Sequence, residues 1–533
     1  MMAKSFAAGT RPQPSRGLLV LLVLGLAGLF SSLLIYSGTV IGFLRFPVFR
    51  IDATPVGFMG LFAETTLLVG TLVGIALVAV SIRRIRSIPF TALGACAAVA
   101  YLCCALGFGF ACYFAVDVPA VYPLLGVAAG VADSGLVLVW GRVCARRLPM
   151  RLALVVVGAA SALSAGIDFL YGCLPLEGML ALLFVCSALA AVIPLAVHEP
   201  QVVEEVVDSE SLPAAVPDVA EEGRVVLGSR PALASLFDVA GMSSLGLVAF
   251  AFVMAVMRTA FNEGQGAYLG ALALSGVGIV AFALLKRGPF LLPGGLQQTF
   301  LPMCALVVLA GGSITATLDA GAAVSDWLTY GLYSVAAVLT LATLCAVAHA
   351  GEFSADLVFS VALCAFCGAS FIGQQVGGAL PDEMISVAVT ITTTLYAFAL
   401  VLVSYVRRRS EARGALSEVD DALPAQDGAA WGIGPADDVA AKMGAAPSSD
   451  ASGASVAAEA ASLAQRCAAL ADAHSLTARE REILPYLAEG HNGSYIASVL
   501  FISPNTARTH IHNIYRKLDV SSREDILRLT RSK

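Results

Sequence analysis

The sequence predicts an all-α chain: a polytopic membrane bundle of about twelve spanning helices arranged six plus six, followed by a small four-helix domain. Three observations carry this. Of 533 residues, 58% are hydrophobic and only 13% charged, about half the charge of an ordinary soluble protein. Apolar runs of the roughly 20 residues needed to cross a hydrocarbon core recur along residues 1–409. Residues 475–533 abandon that pattern for short amphipathic segments set between capping signals. Such a composition excludes a disordered chain, and the length excludes a small disulfide-built scaffold.

Taken in order, spans are predicted at 17–38, 57–81, 90–113, 118–141, 152–173 and 176–197. A polar break follows from His198 to Arg230, with eight acidic residues against two arginines over 199–230. Six more spans are predicted at 234–257, 266–286, 299–318, 327–349, 355–375 and 384–406. The basic run before the first span resembles the start of a signal peptide, but the apolar stretch is too long and lacks a cleavage site, so an uncleaved helix is expected. Basic residues of short loops favour the cytoplasm. With the N-terminus inside, the inner loops hold eleven Arg or Lys, including Arg83, Arg142, Arg146, Arg147, Arg151 and Arg287, against Arg45, Arg50 and Arg258 outside. Both termini are thus expected on the cytoplasmic side of an inner, multi-pass membrane protein. The loop at His349–Glu352 contributes no arginine or lysine to this bias.

Two six-helix halves joined by a longer cytoplasmic loop resemble the layout of major-facilitator transporters, whose halves are structural repeats. The resemblance is one of layout only. The loop after the second span reads IRRIRSIPF, without the Gly–Asp–Arg-rich motif typical of that family.

Chemistry-bearing residues are sparse in the spans. Of twelve cysteines, eleven scatter through the apolar part, where they read as small packing residues. Cys364 and Cys367 form a CxxC inside an apolar run without flanking ligands, and no disulfide framework is expected. Carboxylates inside apolar spans are costly and tend to be functional, which singles out Glu64, Asp133, Asp168 and Asp238. Asp168 and Asp238 lie near span ends, where interfacial solvation is the expected reading. Glu64 and Asp133 are the candidates for a ligand-binding polar pocket. No catalytic, cofactor-binding or metal-ligating constellation is found, so a non-enzyme is expected.

After Arg409 the composition shifts. Residues 410–474 carry ten acidic and three basic residues among Ala, Ser, Gly and Asp, too little apolar content for a core. This stretch is expected to be a flexible tether with an alanine-rich end, around 455–472, that favours helix. Residues 475–533 are basic instead, nine against six. Thr477-Ala478-Arg479-Glu480 reads as a capping box, opening a helix that carries Ile483, Leu484 and Leu487 and ends at Gly490; Pro485 is expected to kink it. A second helix presents Ile496, Ala497 and Leu500. Ser503-Pro504 is an N-cap followed by proline at the first helical position. The third helix is expected to bury Ala507, Ile511, Ile514 and Leu518 and to expose Asn505, Arg508, Thr509, His512, Arg516 and Lys517. A fourth, from Ser522, bears Ile526, Leu527 and Leu529.

Two short helices, a tight turn and a third helix with exposed basic and amide groups read as a helix-turn-helix. The segment resembles the DNA-binding domain of LuxR-type (NarL/FixJ-type) regulators at Leu476, Thr477, Arg479, Glu480, Glu482, Leu484, Gly490, Ile496, Ala497, Leu500, Ser503, Thr506, His510, Ile514, Lys517 and Leu518. It departs at Phe501, where glycine is common, at Ala507, where valine is usual, and at Ser494-Tyr495 for a Lys-Glu pair. The resemblance implies a third helix in the major groove, with Arg508, Thr509 and His512 facing bases and Ser503, Asn505, Thr506, Arg516 and Lys517 holding phosphates. It also implies double-stranded DNA as partner and homodimerisation, with His510 a packed structural residue.

The expected function is a membrane-embedded one-component transcription regulator that senses an unidentified small molecule through its bundle. The alternatives are a transporter-like protein with a fused regulatory domain and a passive membrane anchor for a constitutive DNA binder.

Overall fold

The computed structural model describes residues 15–36, 55–83, 89–114, 116, 118–197, 229–257, 265–285, 321–381, 384–385, 387–402, 405, 453–491, 493–520 and 523–531. The chain divides into two compact units, Met1–Val403 and Ser404–Lys533, and every regular element among the described residues is a helix.

The first unit contains α1 (Arg16–Tyr36), α2 (Pro55–Ile82), α3 (Phe90–Tyr113), α4 (Val121–Arg147), α5 (Met150–Cys173), α6 (Leu176–Val197), α7 (Ser229–Met257), α8 (Gln265–Leu285), α9 (Gly321–Ala350) and α10 (Ala355–Ala379), then α11 (Val387–Leu402). Eleven of the twelve predicted spans therefore coincide with helices, and the ninth, 299–318, lies outside the described residues. Nine helices among the described residues are long and apolar enough to cross a membrane. Their outer faces carry large apolar side chains such as Val99, Phe110, Leu124, Phe169 and Leu274, each at least 60% exposed. Water would penalise such a surface, whereas lipid does not. This is a multi-pass membrane bundle.

Within the first half, α1 packs on α5 and α6, α3 on α4 and α6, and α2 on α4; within the second, α9 packs on α7 and α8, and α10 on α7. The halves meet most extensively through α5 with α8 and α2 with α10. With 299–318 counted as the ninth span, these are spans five and eight, and two and eleven. Shifting each number by six exchanges one pair for the other, as a two-fold relation between repeats demands. Both crossings use glycine for close backbone approach. A Cβ built on Gly276 would lie 2.5 Å from the Gly158 carbonyl oxygen, and one on Gly74 3.0 Å from the Cys364 backbone. Cys367 presents its Sγ to Gly70 in the same α2–α10 crossing. The CxxC cysteines thus pack against glycines at a helix crossing, and both are free.

Buried polar groups pair across helices, as a medium without water requires. The Ser31 hydroxyl donates to Asp168 Oδ1 at 2.6 Å, joining α1 to α5; Ser32 and Tyr101 hydroxyls lie 2.6 Å apart; and the Trp140 indole N–H donates to the Ala190 carbonyl at 2.8 Å. Asp168 is fully buried, which corrects the expectation of a solvated span end. Its place, five residues before the end of α5, gave the depth along the helix but not the face, and the face turns inward. The side chain of Asp238 lies outside the described residues.

At one end of the bundle the halves are tied by polar contacts. Arg142, near the end of α4, forms a two-pronged ion pair with Asp356 in the first turn of α10, at 2.6 and 2.8 Å. His349 Nδ1 lies 2.8 Å from the Ala145 carbonyl, and Arg151 donates to the Ala283 carbonyl at 3.1 Å. The His349–Glu352 loop, silent in the charge bias, shares this end with the arginines where α4 ends and α5 begins.

The second unit holds α12 (Gly453–Ala473), α13 (Ala478–Ala488), α14 (Gly493–Leu500), α15 (Pro504–Leu518) and α16 (Arg523–Arg531). Its core gathers Cys467, Ala471, Leu476, Ile483, Leu484, Leu487, Ile496, Ile514, Leu518 and Ile526. Helix α12 contributes Leu463, Cys467, Leu470 and Ala471 to that core, so the end of the stretch read as a tether over 410–474 packs with the folded unit. The remainder of that stretch, 410–452, lies outside the described residues.

Candidate nucleic-acid interface and membrane cavity

Helix α13 begins with the predicted capping box: the Thr477 N–H donates to Glu480 Oε2 at 2.8 Å and the Glu480 N–H to Thr477 Oγ1 at 3.4 Å. The helix continues through Pro485 to Ala488 and ends at Gly490, whose φ of +87° is the left-handed conformation that stops a helix. The Arg479 guanidinium donates to the Leu500 carbonyl at 3.0 Å and satisfies the end of α14.

Between α14 and α15 the chain turns over Phe501-Ile502-Ser503. Phe501 sits at φ +55°, which explains why glycine is common there: the left-handed region costs an L-residue roughly 1–2 kcal/mol. The Phe501→Gly variant is expected to raise the stability of the second unit by about 0.5 kcal/mol, the relief of strain exceeding the added chain entropy. Phe501→Ala keeps the Cβ and should gain nothing. Thermal unfolding of the two variants separates relieved strain from altered packing.

Ser503 caps α15, accepting from the Thr506 N–H at 3.1 Å, and the two hydroxyls lie 2.8 Å apart. Both side chains are buried, so they build the start of the recognition helix. Arg508, Thr509, His512 and Arg516 are exposed, and their spacing of one, four and eight places them on one face. The side chain of Asn505 lies outside the described residues. Ala507 and Ile514 are fully buried on the opposite face, and His510 is half-buried. No hydrogen bond or ion pair among the described residues occupies Arg508, His512 or Arg516.

Lys517 differs from expectation. Its ammonium lies 2.7 Å from Glu480 Oε2, a carboxylate only 3% exposed. The same oxygen that closes the capping box on α13 therefore holds the end of α15. Burial alone would raise the Glu480 pKa, but the hydrogen bonds from Lys517 and Thr477 outweigh it and hold the carboxyl below its usual value. His474 supports the same corner, its Nδ1 3.0 Å from the Lys517 carbonyl. Sequence reading sees Lys517 as a basic residue on a basic helix; only the packing of α13 on α15 reveals its anionic partner.

The membrane unit contains a partly open cavity of about 270 Å³ between its halves, lined from α1, α2, α4, α5, α7, α8, α9 and α10. Asp133 lines it, is 7% exposed, and leaves Oδ1 without a hydrogen-bond partner among the described residues. Glu64 is not among the lining residues and is half-buried on α2, so the structure does not bring the two candidate carboxylates together there. Among the described residues no group of His, Cys, Asp and Glu is arranged to hold a metal ion.

Comparison with known proteins matches residues 474–530 to the family model of bacterial regulatory proteins, luxR family. Relatives include the transcriptional regulatory protein LiaR of Bacillus subtilis (strain 168), 55% identical over 49 residues, 9% of this chain and 23% of the relative. The CsgBAC operon transcriptional regulatory protein of Escherichia coli (strain K12) is 48% identical over 48 residues, again 9% of this chain and 22% of the relative. The chain thus spans under a quarter of the length of these relatives. Among solved structures, the major facilitator superfamily proton:xylose symporter XylE aligns with a TM-score of 0.45 at 10% identity, over 74% of this chain and 94% of that one. Residues 474–530 are a LuxR-family helix-turn-helix domain.

Proposed function

We propose that the chain is a one-component transcription regulator: the bundle senses a small molecule in its central cavity, and the C-terminal unit binds double-stranded DNA as a homodimer. The observation that carries this reading is the presence, in one polypeptide, of a LuxR-family helix-turn-helix with an exposed basic face and a membrane bundle with a cavity where Asp133 Oδ1 has no hydrogen-bond partner among the described residues. Arg508, Thr509 and His512 face bases; Arg516, with Asn505, holds phosphates; Ser503 and Thr506 serve by fixing the start of α15. The end that carries the polar tie of Arg142, His349 and Arg151 is the cytoplasmic one in this reading, which the concentration of arginines there supports. A ligand that binds one arrangement of the halves more tightly shifts the bundle between states, and the DNA-binding unit responds through its proximity to a second copy or its availability.

The test compares genomic DNA occupancy of the full chain, the full chain with Asp133→Asn, and a chain lacking residues 1–409. Regulation through the membrane unit predicts that both changes alter occupancy at target promoters. Identical profiles from all three would leave the bundle as a passive anchor. A second reading, a transporter with a fused regulatory domain, draws support from the repeat-related packing of α5 on α8 and α2 on α10 around the cavity. It predicts substrate accumulation in reconstituted vesicles that Asp133→Asn abolishes.

A further inference from the structure

The central cavity has a chemistry that narrows what can occupy it. Among the described residues its wall contains the carboxyl group of Asp133 and no Lys, Arg or His. The hydroxyl hydrogens of the wall are already committed: Thr66 donates to the Phe62 carbonyl, Ser134 to Gly130, Ser161 to Val157, Ser164 to Ser161 and Ser370 to Ala251. Trp140 directs its N–H away, to Ala190. The exception is the phenol of Tyr268 on α8, for which no acceptor is found among the described residues. The cavity is mostly apolar, and the few polar atoms that its described wall offers an occupant are acceptor oxygens, foremost the carboxyl group of Asp133, set among the rings of Phe30, Trp140, Phe250, Phe359 and Phe366. A carboxylate removed from water is costly unless a proton or a cation neutralises it, and aromatic faces attract cations.

We infer that the cavity is a binding site for a small organic monocation with an apolar body, its positive centre set against Asp133. This deepens the sensing reading and rests on it for the consequence of binding, but not for binding itself. An anion or a sugar is disfavoured by the same wall: the one would face Asp133, and the other brings more hydroxyl acceptors than there are donors to meet them.

Benzyltrimethylammonium and neopentylbenzene share shape and volume and differ in charge alone. Binding of each to the full chain in lipid nanodiscs, corrected against empty discs, is expected to favour the cation by at least about tenfold, or about 1.4 kcal/mol. Asp133→Asn should erase that preference, while Asp133→Glu, which keeps the charge, should retain it and guards against a folding defect in the amide variant. Equal affinities, no binding of the cation, or a preference that survives Asp133→Asn would each overturn the inference. Should the preference hold while promoter occupancy stays indifferent to the bundle, the site stands and the sensing reading falls.

Discussion

Arg508→Ala is expected to remove most sequence selectivity from DNA binding while leaving the fold intact. Arg508 is exposed on α15 and no described residue engages its guanidinium, so no internal contact must be broken to present it to a groove. A bidentate arginine–guanine contact discriminates by about 1–3 kcal/mol, which is roughly 5- to 150-fold in affinity for the preferred site. Affinity for unrelated DNA should fall far less, since one phosphate-range charge among several is lost. Titration of a selected operator and a scrambled duplex at fixed salt, with a thermal melt as fold control, separates the two. Arg516→Ala should show the opposite pattern: a comparable loss on both duplexes and a shallower dependence on salt. Retained operator preference in Arg508→Ala would remove that residue from base readout.

The second large effect concerns Glu480, whose buried carboxylate joins two elements of the helix-turn-helix. Glu480→Ala is expected to destabilise the second unit by about 2–3 kcal/mol. About 1 kcal/mol of that is the lost hydrogen bond from the Thr477 N–H, the half of the capping box that the carboxylate supplies, and the rest follows from stranding Lys517 beside a site that no longer neutralises it. The lysine is 29% exposed, so it rehydrates in part and the upper range for buried pairs is not reached. For a unit of this size such a loss lowers the melting temperature by roughly 10–20 °C. Lys517→Met should also destabilise, and the double variant should be less affected than the sum of the singles, with a coupling of about 1–2 kcal/mol. The pH dependence has a definite sign. Because the folded-state pKa of Glu480 is depressed, its contribution is complete above the unfolded value of about 4.3 and is lost as pH falls through the folded value. Additive single effects in the cycle would show that the contact carries no energy.

Much of the architecture was legible in the chain because its signals are local. Apolar run length marks a spanning helix, and an N-cap followed by proline marks the start of α15, whatever surrounds them. The left-handed turn is a partial case: Phe501 stands where the resemblance expects glycine, and its φ of +55° lies in the region that glycine adopts readily. Helix α12 was half visible. Its alanine content suggested helix, while the spacing of Leu463, Cys467, Leu470 and Ala471, one face of a helix in four residues, carried the further signal that this segment has a core to join.

What stayed hidden are the relations between distant residues. Asp168 and Ser31 are separated by 137 positions and Arg142 and Asp356 by 214, and no periodicity links them. The sequence by itself determined that this is a membrane bundle ending in a DNA-reading domain, because hydropathy, capping and recognition-helix chemistry are written in contiguous residues. Only the tertiary structure decided which surroundings each charge has. It paired Lys517 with Glu480, left Arg508 exposed, and put Asp133 rather than Glu64 on the cavity wall. The physical reason is that a charge takes its role from the dielectric and the partners around it, and those are assembled only when the helices pack.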